Sequence, residues 1–252
     1  MPGPPDLLAR IDALEPTTRE RNRLTVLAES EYVDFAAAAF GCQKRQIREC
    51  LRELSEDDEL FYELVPRIAQ LDLMKSSGDL RLHSVTCYLA ARCNGSEANI
   101  FETGVASGKS SSYLLAALHH TPIVNRLLIS VDLPADGSRA LDGSDTGLEG
   151  NEIGWLIPNW LRERWRLLLG PSTEMLPAAF EAFGPPGVFL HDSLHTYENT
   201  LLELCLALSA NPDVILLCDN LEMGSGAAFS EITEAQDLHS FVFGNFGIAR
   251  RK

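Results

Sequence analysis

The sequence predicts an α/β protein in which a mostly parallel sheet follows a helical N-terminal region. Apolar residues recur at helical spacing from residue 6 to about residue 73. After a polar break at residues 75–79, short apolar strands alternate with helices towards the C-terminus. Such alternation is typical of a parallel sheet with helices on both faces. We therefore predict a helical region over residues 1–75 and a main domain over residues 76–252.

The N-terminal region is predicted to hold four helices with apolar faces. Apolar spacing places them near residues 7–14, 24–40, 47–54 and 60–73, with Gly41 ending the second. We find no catalytic signature among them. Because their apolar faces must be covered, we expect these helices to cap the main domain or to join the subunits of a homo-oligomer.

The main domain is predicted to begin with a helix at Leu80–Cys93. Five strands and a C-terminal hairpin follow, with further helices centred on Ala178 and Leu204. In chain order the predicted strands are the apolar stretch that begins at Asn99, then Arg126–Asp132, Arg164–Gly170, Val188–Asp192 and Asp213–Asp219, and the hairpin Ser240–Ala249 with its turn at Gly244–Asn245.

Composition narrows the class of protein and its partners. The 252-residue chain carries a formal net charge of −15, which disfavours nucleic acid or an anionic membrane as the main partner. No apolar run approaches the roughly 20 residues needed to cross a bilayer, and the N-terminus lacks the pattern of a signal peptide. The six cysteines form no Cys-x-x-Cys pair, which indicates free thiols in a reducing compartment. We therefore expect a soluble, cytoplasmic protein.

A glycine-rich turn, Glu102–Ser110 (ETGVASGKS), links the first strand to a helix. Such a turn offers backbone N–H groups and the positive end of a helix to a ligand, which could be a nucleoside cofactor or a nucleoside triphosphate. The phosphate-binding loop of NTPases has four residues between its glycines. Here three residues separate Gly104 from Gly108, and Thr103 stands where the first glycine of that loop would be. The triphosphate is therefore the weaker alternative.

An acid at the end of the second strand favours the nucleoside cofactor. A nucleoside site on a parallel sheet uses a carboxylate at this position for the ribose hydroxyls. Asp132 supplies it. The structural alternative is that Asp132 only caps the turn before Pro134.

With these residues the chain resembles the class I S-adenosylmethionine-dependent methyltransferases over about residues 80–252. The resemblance implies a Rossmann-like, seven-stranded, mostly parallel sheet in the order 3-2-1-4-5-7-6 with a C-terminal antiparallel hairpin. It also implies S-adenosyl-L-methionine as cofactor, with the turn after the third strand at its adenine, although Pro171 stands where many members carry an acid. The implied cofactor-binding residues are Glu102, Gly104, Gly108, Ser110, Asp132, Gly170, Ser172 and Thr173.

Polar residues follow the fourth and fifth strands, at the edge where open parallel sheets place their ligands. Asp192 follows the fourth strand, and Asp219 and Asn220 follow the fifth. Two carboxylates and an amide oxygen form a hard-oxygen site suited to Mg²⁺. The same three positions match the metal ligands of the catechol O-methyltransferase-like group, so the resemblance implies a metal site there. The alternative is that both acids only cap the following helices.

His195 is the candidate catalytic base. It lies where the catechol-type group carries a catalytic lysine, and the macrolide-sugar O-methyltransferases resemble this chain in carrying a histidine there. A histidine can accept a hydroxyl proton at neutral pH. His191 points to the other side of its strand and is assigned to packing, while His83 and His239 show no pattern.

The predicted function is Mg²⁺-dependent O-methylation of a hydroxyl group on a small molecule of the natural-product, phenolic or sugar type. The loop at about 134–158, which ends near Trp155 and Trp160, is predicted to form a lid with an apolar tip over this acceptor. Two alternatives remain, an NTPase with a phosphate-binding loop and a catalytically inactive scaffold that still binds the cofactor.

Overall fold

The computed structural model describes residues 16–74, 80–134, 148 and 151–252. The helix predicted near residues 7–14 and the polar break at 75–79 lie outside the described residues. So does most of the predicted lid at 134–158, of which the structure describes both ends.

The chain divides into two compact units, residues 1–78 and 79–252. In the first unit the apolar faces of the described helices enclose a core that includes Val33, Leu51 and Leu64, all fully buried. The described helices of this unit are α1 (Pro16–Ala28), α2 (Tyr32–Phe40), α3 (Lys44–Glu56) and α4 (Asp58–Met74).

The single helix predicted over residues 24–40 is in fact two helices, because the chain turns at Ser30. The hydroxyl of Ser30 donates a hydrogen bond to the carbonyl of Leu27 (2.8 Å) and accepts one from the amide of Tyr32 (3.2 Å). It thereby satisfies backbone groups at the end of α1 and the start of α2, a common role of serine at helix ends. Gly41 ends α2 in a left-handed conformation (φ 65°), as predicted.

The second unit alternates helices with strands, as predicted. Its elements in chain order are α5 (Leu80–Cys93), β1 (Ile100–Thr103), α6 (Lys109–His119), β2 (Leu128–Asp132), a 3₁₀ helix (Asn159–Arg164), β3 (Trp165–Leu169), α7 (Ser172–Phe183), β4 (Val188–His191), α8 (Tyr197–Ala210), β5 (Ile215–Cys218), α9 (Gly224–Ala235), β6 (His239–Phe243) and β7 (Phe246–Arg250).

The seven strands form one sheet in the order β3-β2-β1-β4-β5-β7-β6. Strands β1 to β5 pair in parallel, and β7 pairs antiparallel with both β5 and β6. The predicted Rossmann-like fold, its strand order and its C-terminal hairpin are therefore confirmed. Within the described ranges, no helix is both long and apolar enough to cross a bilayer.

The parallel strands β2 to β5 are shorter than predicted, and Arg126 shows why β2 starts late. It was predicted to open β2, but the strand starts at Leu128. The Arg126 side chain is buried, and its guanidinium donates hydrogen bonds to the carbonyls of Ala91 (3.1 Å) and Ala98 (2.9 Å). Arg126 therefore binds the end of α5 and the segment that follows it. The 3₁₀ helix and α9 had no predicted counterpart.

The strand register brings the ends of three strands together at one edge of the sheet. Thr103 at the end of β1 is level with His191 at the end of β4. His191 is in turn level with Cys218 at the end of β5. The residues that follow these strands, including Asp192 and Asp219, therefore emerge side by side at the carboxyl edge.

Candidate active site

The glycine turn lies directly against the segment that follows β4. Gly104 has a positive φ of 79°, and a Cβ atom at this position would lie 1.9 Å from the carbonyl oxygen of Asp192. Only glycine, which has no Cβ and tolerates this φ, can occupy the position. The backbone is also tied across the two segments, since the amide of Asp192 donates to the carbonyl of Thr103 (2.9 Å). The predicted cofactor turn and the predicted catalytic segment are thus in contact.

Asp132 closes the glycine turn from the neighbouring strand. Its Oδ2 accepts hydrogen bonds from the amides of Val105 and Ala106, both at 2.9 Å. These amides are the groups that a phosphate-binding loop would direct at its phosphate. The side chain of Lys109, which would reach a phosphate in such a loop, is only 7% exposed. The geometry therefore disfavours the NTPase alternative, while Asp132 itself stays half-exposed at the strand end.

Glu102 is fully buried beneath the turn. Its Oε1 accepts hydrogen bonds from the hydroxyls of Ser111 on α6 (2.7 Å) and Ser130 on β2 (2.5 Å), and Ser130 also accepts one from the indole N–H of Trp165 (2.7 Å). Its Oε2 has no hydrogen-bond partner among the described residues. Burial raises the pKa of Glu102 to about 7, because it outweighs the hydrogen bonds of the two serine hydroxyls, which lower this pKa. Direct contact of Glu102 with a cofactor stays a prediction.

The other predicted cofactor residues surround Asp132 and the turn. Gly108 precedes α6 with a positive φ of 86°, and Ser110 lies in the first turn of that helix, half-buried. The amide of Gly170 donates to the carbonyl of Asp132 (2.9 Å), so the turn after β3 lies beside Asp132. The last two predicted cofactor-binding residues lie at the start of α7, where Ser172 is half-buried and Thr173 is exposed.

The two predicted carboxylate ligands lie next to each other, and their pKa values move in opposite directions. Burial, the charge of Asp219 and a hydrogen bond with it raise the pKa of Asp192 well above its ordinary value, although 30% of its side chain is accessible. Burial would also raise the pKa of Asp219, but His83 outweighs it and the pKa is lowered. His83 Nδ1 lies 3.1 Å from Asp219 Oδ1.

His83 was assigned no role from the sequence, yet it belongs to this site. It comes from α5, is 7% exposed and stacks on Phe246 of β7, with ring centroids 4.8 Å apart. No local motif marks it, since only the folded sheet brings α5 next to Asp219. A contact between residues so distant in sequence gives no periodic signal.

Asn220, the third predicted metal ligand, is oriented by the C-terminal hairpin. It has a positive φ of 54°, which asparagine tolerates better than most residues. Its Oδ1 accepts a hydrogen bond from Nδ2 of Asn245 at the hairpin turn (3.2 Å). The hairpin predicted from Gly244–Asn245 thus positions a side chain at the carboxyl edge.

The donor set fits a divalent cation in its chemistry. Asp192 and Asp219 are adjacent acids in a largely buried site, and their charges repel when both are ionised. Among the described residues, Nδ1 of His83 lies 3.1 Å from Oδ1 of Asp219, but no well-aligned hydrogen bond reaches that oxygen. A divalent cation would balance two such charges. In the described parts of the chain, however, no cluster of three or more His, Cys, Asp or Glu side chains could hold a metal. The predicted set, two carboxylates and the Asn220 amide, therefore stays a prediction.

His195 is buried beside Asp192. Its Nε2 lies 3.9 Å from Oδ1 of Asp192, and its ring meets the ring of His191 edge-on, with centroids 5.6 Å apart. His191 does more than pack, because its Nδ1 lies 2.7 Å from Oε2 of Glu203 and its Nε2 lies 2.9 Å from the hydroxyl of Thr200. The packing role assigned to His191 is therefore incomplete, since its contacts are polar.

The described end of the predicted lid is fixed to the glycine turn. The amide of Gly154 donates to the carbonyl of Ala106, and that of Leu156 donates to the carbonyl of Ser107, both at 2.9 Å. Leu156 and Ile157 are fully buried. This part of the loop is a packed support for the turn, whereas a lid over the remaining residues stays a prediction.

A comparison with protein families identifies the domain. Residues 101–221 match the model of a family described as a methyltransferase domain. This central part of the chain is similar to a methyltransferase domain. The matched range runs from β1 to the residues after β5, and it includes Asp132, Asp192 and His195. The resemblance inferred from the sequence is therefore confirmed. No curated protein sequence matches the chain significantly.

Solved structures of methyltransferases share the fold of this domain. The O-methyltransferase from Bacillus cereus in complex with SAH has 16% sequence identity and a TM-score of 0.52, over 78% of this chain and 92% of that chain. The O-methyltransferase TomG from Streptomyces achromogenes, involved in tomaymycin synthesis and solved in complex with SAM, has 17% identity and a TM-score of 0.52, over 78% of this chain and 91% of that chain. At this identity the likeness establishes the fold alone.

Proposed function

We propose that this methyltransferase transfers the methyl group of S-adenosyl-L-methionine to a hydroxyl oxygen of a small molecule. The observation that carries the proposal is the contact between Gly104 and Asp192. It places a turn suited to a nucleoside cofactor against a segment that holds a carboxylate and a histidine. Two structures of similar fold, solved with SAH and with SAM, are of O-methyltransferases.

The cofactor would lie along the carboxyl edge of β1, β2 and β3. Asp132 would receive the ribose hydroxyls, since it ends β2 and stays half-exposed. The turn from Gly170 to Thr173 would contact the adenine, because Gly170 is hydrogen-bonded to the backbone of Asp132. The start of α6 at Ser110 would face the methionine carboxylate with its positive end.

His195 would act as the general base. It takes the proton of the acceptor hydroxyl at Nε2, the nitrogen that lies 3.9 Å from the Asp192 carboxylate. That carboxylate stabilises the imidazolium that forms. The oxygen then attacks the methyl carbon, the O–CH₃ bond forms as the S–CH₃ bond breaks, and the sulfonium becomes a neutral thioether. The domain contributes chiefly by holding both reactants in line and away from water.

Asp192, Asp219 and Asn220 would hold Mg²⁺. When bound, the ion would lower the pKa of a hydroxyl and orient it. The two adjacent acids support this part of the proposal. The acceptor would be a natural-product, phenolic or sugar hydroxyl compound. Homo-oligomerisation through the N-terminal helices stays a prediction.

Calorimetric titration with S-adenosylmethionine and with ATP tests the cofactor. We expect binding of S-adenosylmethionine alone, and Asp132→Asn should weaken it by about tenfold, the effect of one lost hydrogen bond to a charged group. Asp213→Asn is the matched control, because this exposed acid lies near the opposite end of the sheet. Binding of ATP without S-adenosylmethionine would reject the proposal.

The reaction requires a second experiment. Hydroxylated metabolites would be screened with an assay for S-adenosylhomocysteine, the product that every acceptor releases. Turnover of a hydroxyl compound supports the proposal. Cofactor binding without turnover on any acceptor would favour the inactive scaffold instead.

A further inference from the structure

A buried carboxylate on α8 joins several segments of the active-site edge. Glu203 is fully buried, and side chains from outside α8 point at both of its oxygens. Around Oε1, the hydrogen-bond donors are Ser172 Oγ (2.5 Å), Ser193 Oγ (2.8 Å) and Asn199 Nδ2 (3.0 Å). Around Oε2, they are Thr103 Oγ1 (2.5 Å) and, at 2.7 Å, Nδ1 of His191.

These donors belong to two functional parts of the site. Ser172 lies in the turn proposed to contact the adenine, and Thr103 immediately precedes Gly104. Ser193 lies between Asp192 and His195, in the segment proposed to carry the chemistry. Oε1 of Glu203 therefore accepts hydrogen bonds from Ser172, in the part proposed to bind the cofactor, and from Ser193, in the part proposed to carry the chemistry.

The segment after β4 is held to α8 by a second residue as well. Asn199, one helical turn before Glu203, donates hydrogen bonds to the hydroxyl of Ser193 (3.1 Å) and the carbonyl of Leu194 (3.2 Å). The side chain of Ser193 and the backbone of Leu194 are thus bound to the same helix that carries Glu203. A change in the position of Glu203 would move this segment with it.

The carboxylate is suited to this arrangement because it accepts at both oxygens. Burial would raise the pKa of Glu203, but the hydrogen bond and charge of His191, with the hydroxyls of Ser172 and Thr103, lower it instead. An ionised carboxylate has only acceptor sites, at both of its oxygens. A buried polar network of this kind is worth most when every member is satisfied.

We propose that Glu203 is a positioning residue. It couples the turn after β3, at Ser172, to the segment after β4 that carries His195, because side chains of both segments are hydrogen-bonded to its carboxylate. The inference rests on the proposed function, in that Ser172 and His195 are given their roles there. The coupling itself is a property of the ligand-free protein. It can therefore be measured whether or not the cofactor binds.

The conservative variant Glu203→Gln separates charge from shape. Glutamine has one acceptor oxygen, so the donors around the other atom would face an NH₂ group and lose their partner. We expect S-adenosylhomocysteine to bind at least about tenfold more weakly. Glu198→Gln is the matched control, since Glu198 is an exposed acid on the same helix, and its affinity should equal that of the wild type.

The decisive measurement is the NMR signal of the His195 imidazole in the ligand-free protein, assigned by its loss in His195→Gln. Ser172→Ala should shift this signal in the wild-type background and leave it unshifted in the Glu203→Gln background. If Glu203 only stabilised the fold, Glu203→Gln would lower the melting temperature but would not change the shift that Ser172→Ala causes. If Glu203→Gln fails to fold, Ser193→Ala replaces it, because it removes the other hydroxyl on Oε1.

Two results would overturn the inference. One is an unchanged His195 signal in Ser172→Ala, and the other is the same shift in both backgrounds. Failure of the proposed function has a different signature, namely no binding of S-adenosylhomocysteine by the wild-type protein while the Ser172–His195 coupling persists.

Discussion

Gly104 and Asp192 approach each other so closely that a single methyl group would not fit between them. The carbonyl oxygen of Asp192 lies 1.9 Å from the position of a Cβ at residue 104. The glycine turn, proposed to bind the cofactor, and the segment proposed to carry the catalytic residues therefore share one backbone contact. This contact fixes the distance between the two segments more firmly than a side-chain contact would, because backbone atoms have little freedom to move aside.

Replacing Gly104 with alanine should therefore damage both stability and cofactor binding. The new Cβ meets the Asp192 carbonyl and sits at a φ of 79°. We expect the free energy of unfolding to fall by about 2–5 kcal/mol, and binding of S-adenosylhomocysteine to be lost. Thermal unfolding and calorimetry measure the two effects.

Gly95→Ala is the control for backbone strain alone. Gly95 has a similar φ of 64°, but a Cβ there would have no neighbour within 4 Å. This variant should lose only about 1–2 kcal/mol and should bind the cofactor normally. Equal losses in the two variants would show that the contact with Asp192 contributes nothing.

The buried carboxyl of Glu102 should make stability depend on pH near neutrality. Its pKa is raised from 4.5 to about 7, so the folded protein binds a proton that the unfolded chain releases between these values. The contribution of Glu102 is fully present below pH 4.5 and is lost as pH rises through 7. A shift of this size corresponds to about 3 kcal/mol.

Glu102→Gln isolates this contribution. The amide keeps an oxygen for the hydroxyls of Ser111 and Ser130 but cannot ionise. The free energy of unfolding, measured by denaturant titration from pH 4.5 to pH 8, should fall less steeply in the variant than in the wild type over the range set by the pKa of about 7. Parallel curves would mean that Glu102 does not titrate in this range.

Local sequence signals predicted much of the fold and of the site. Asp132, Asp192 and Asp219 each end an apolar run, and the carboxyl ends of parallel strands necessarily meet at one edge. Once the strand order was inferred by resemblance, the neighbourhood of the last two acids followed. Gly104 and Gly108 likewise marked the turn, because positive φ selects for glycine.

What the sequence did not reveal depends on contacts between distant segments. His83 lies on a helix with an ordinary apolar pattern, and its approach to Asp219 follows from packing across the sheet. Glu203 is one acid on an amphipathic helix, where an exposed position is the usual expectation. Its burial is stabilised by donors from four other segments, and no single stretch of sequence contains them.

His195→Gln should abolish turnover while leaving the cofactor site intact. Loss of a general base lowers the rate by about 10²–10⁴-fold, and His195 lies outside the proposed cofactor turn. Affinity for S-adenosylhomocysteine should stay within about twofold, since the variant removes no hydrogen bond to the cofactor. His239→Gln, an exposed histidine on β6, is the control and should be fully active. Full activity in His195→Gln would remove His195 from the mechanism.

The proposed metal site at Asp192 and Asp219 can be tested through thermal stability, without knowing the acceptor. In the metal-free protein, burial and then the charge of Asp219 disfavour ionisation of Asp192, so the pKa of Asp192 is raised. Asp192→Asn removes one of the two charges, so it should raise the melting temperature of the metal-free protein by roughly 2–4 °C, which corresponds to about 1 kcal/mol in a domain of this size. Mg²⁺ should raise the melting temperature of the wild type, because it binds the folded state only.

The same variant should lose the stabilisation by Mg²⁺, since one of the proposed ligands is gone. Asp213→Asn, an exposed acid near the opposite end of the sheet, should respond to Mg²⁺ as the wild type does. Once an acceptor is known, EDTA should lower the rate of methyl transfer. A shift with Mg²⁺ that persists in Asp192→Asn would place the ion elsewhere. A rate that EDTA leaves unchanged would mean that His195 and the positioning of the reactants suffice for the reaction.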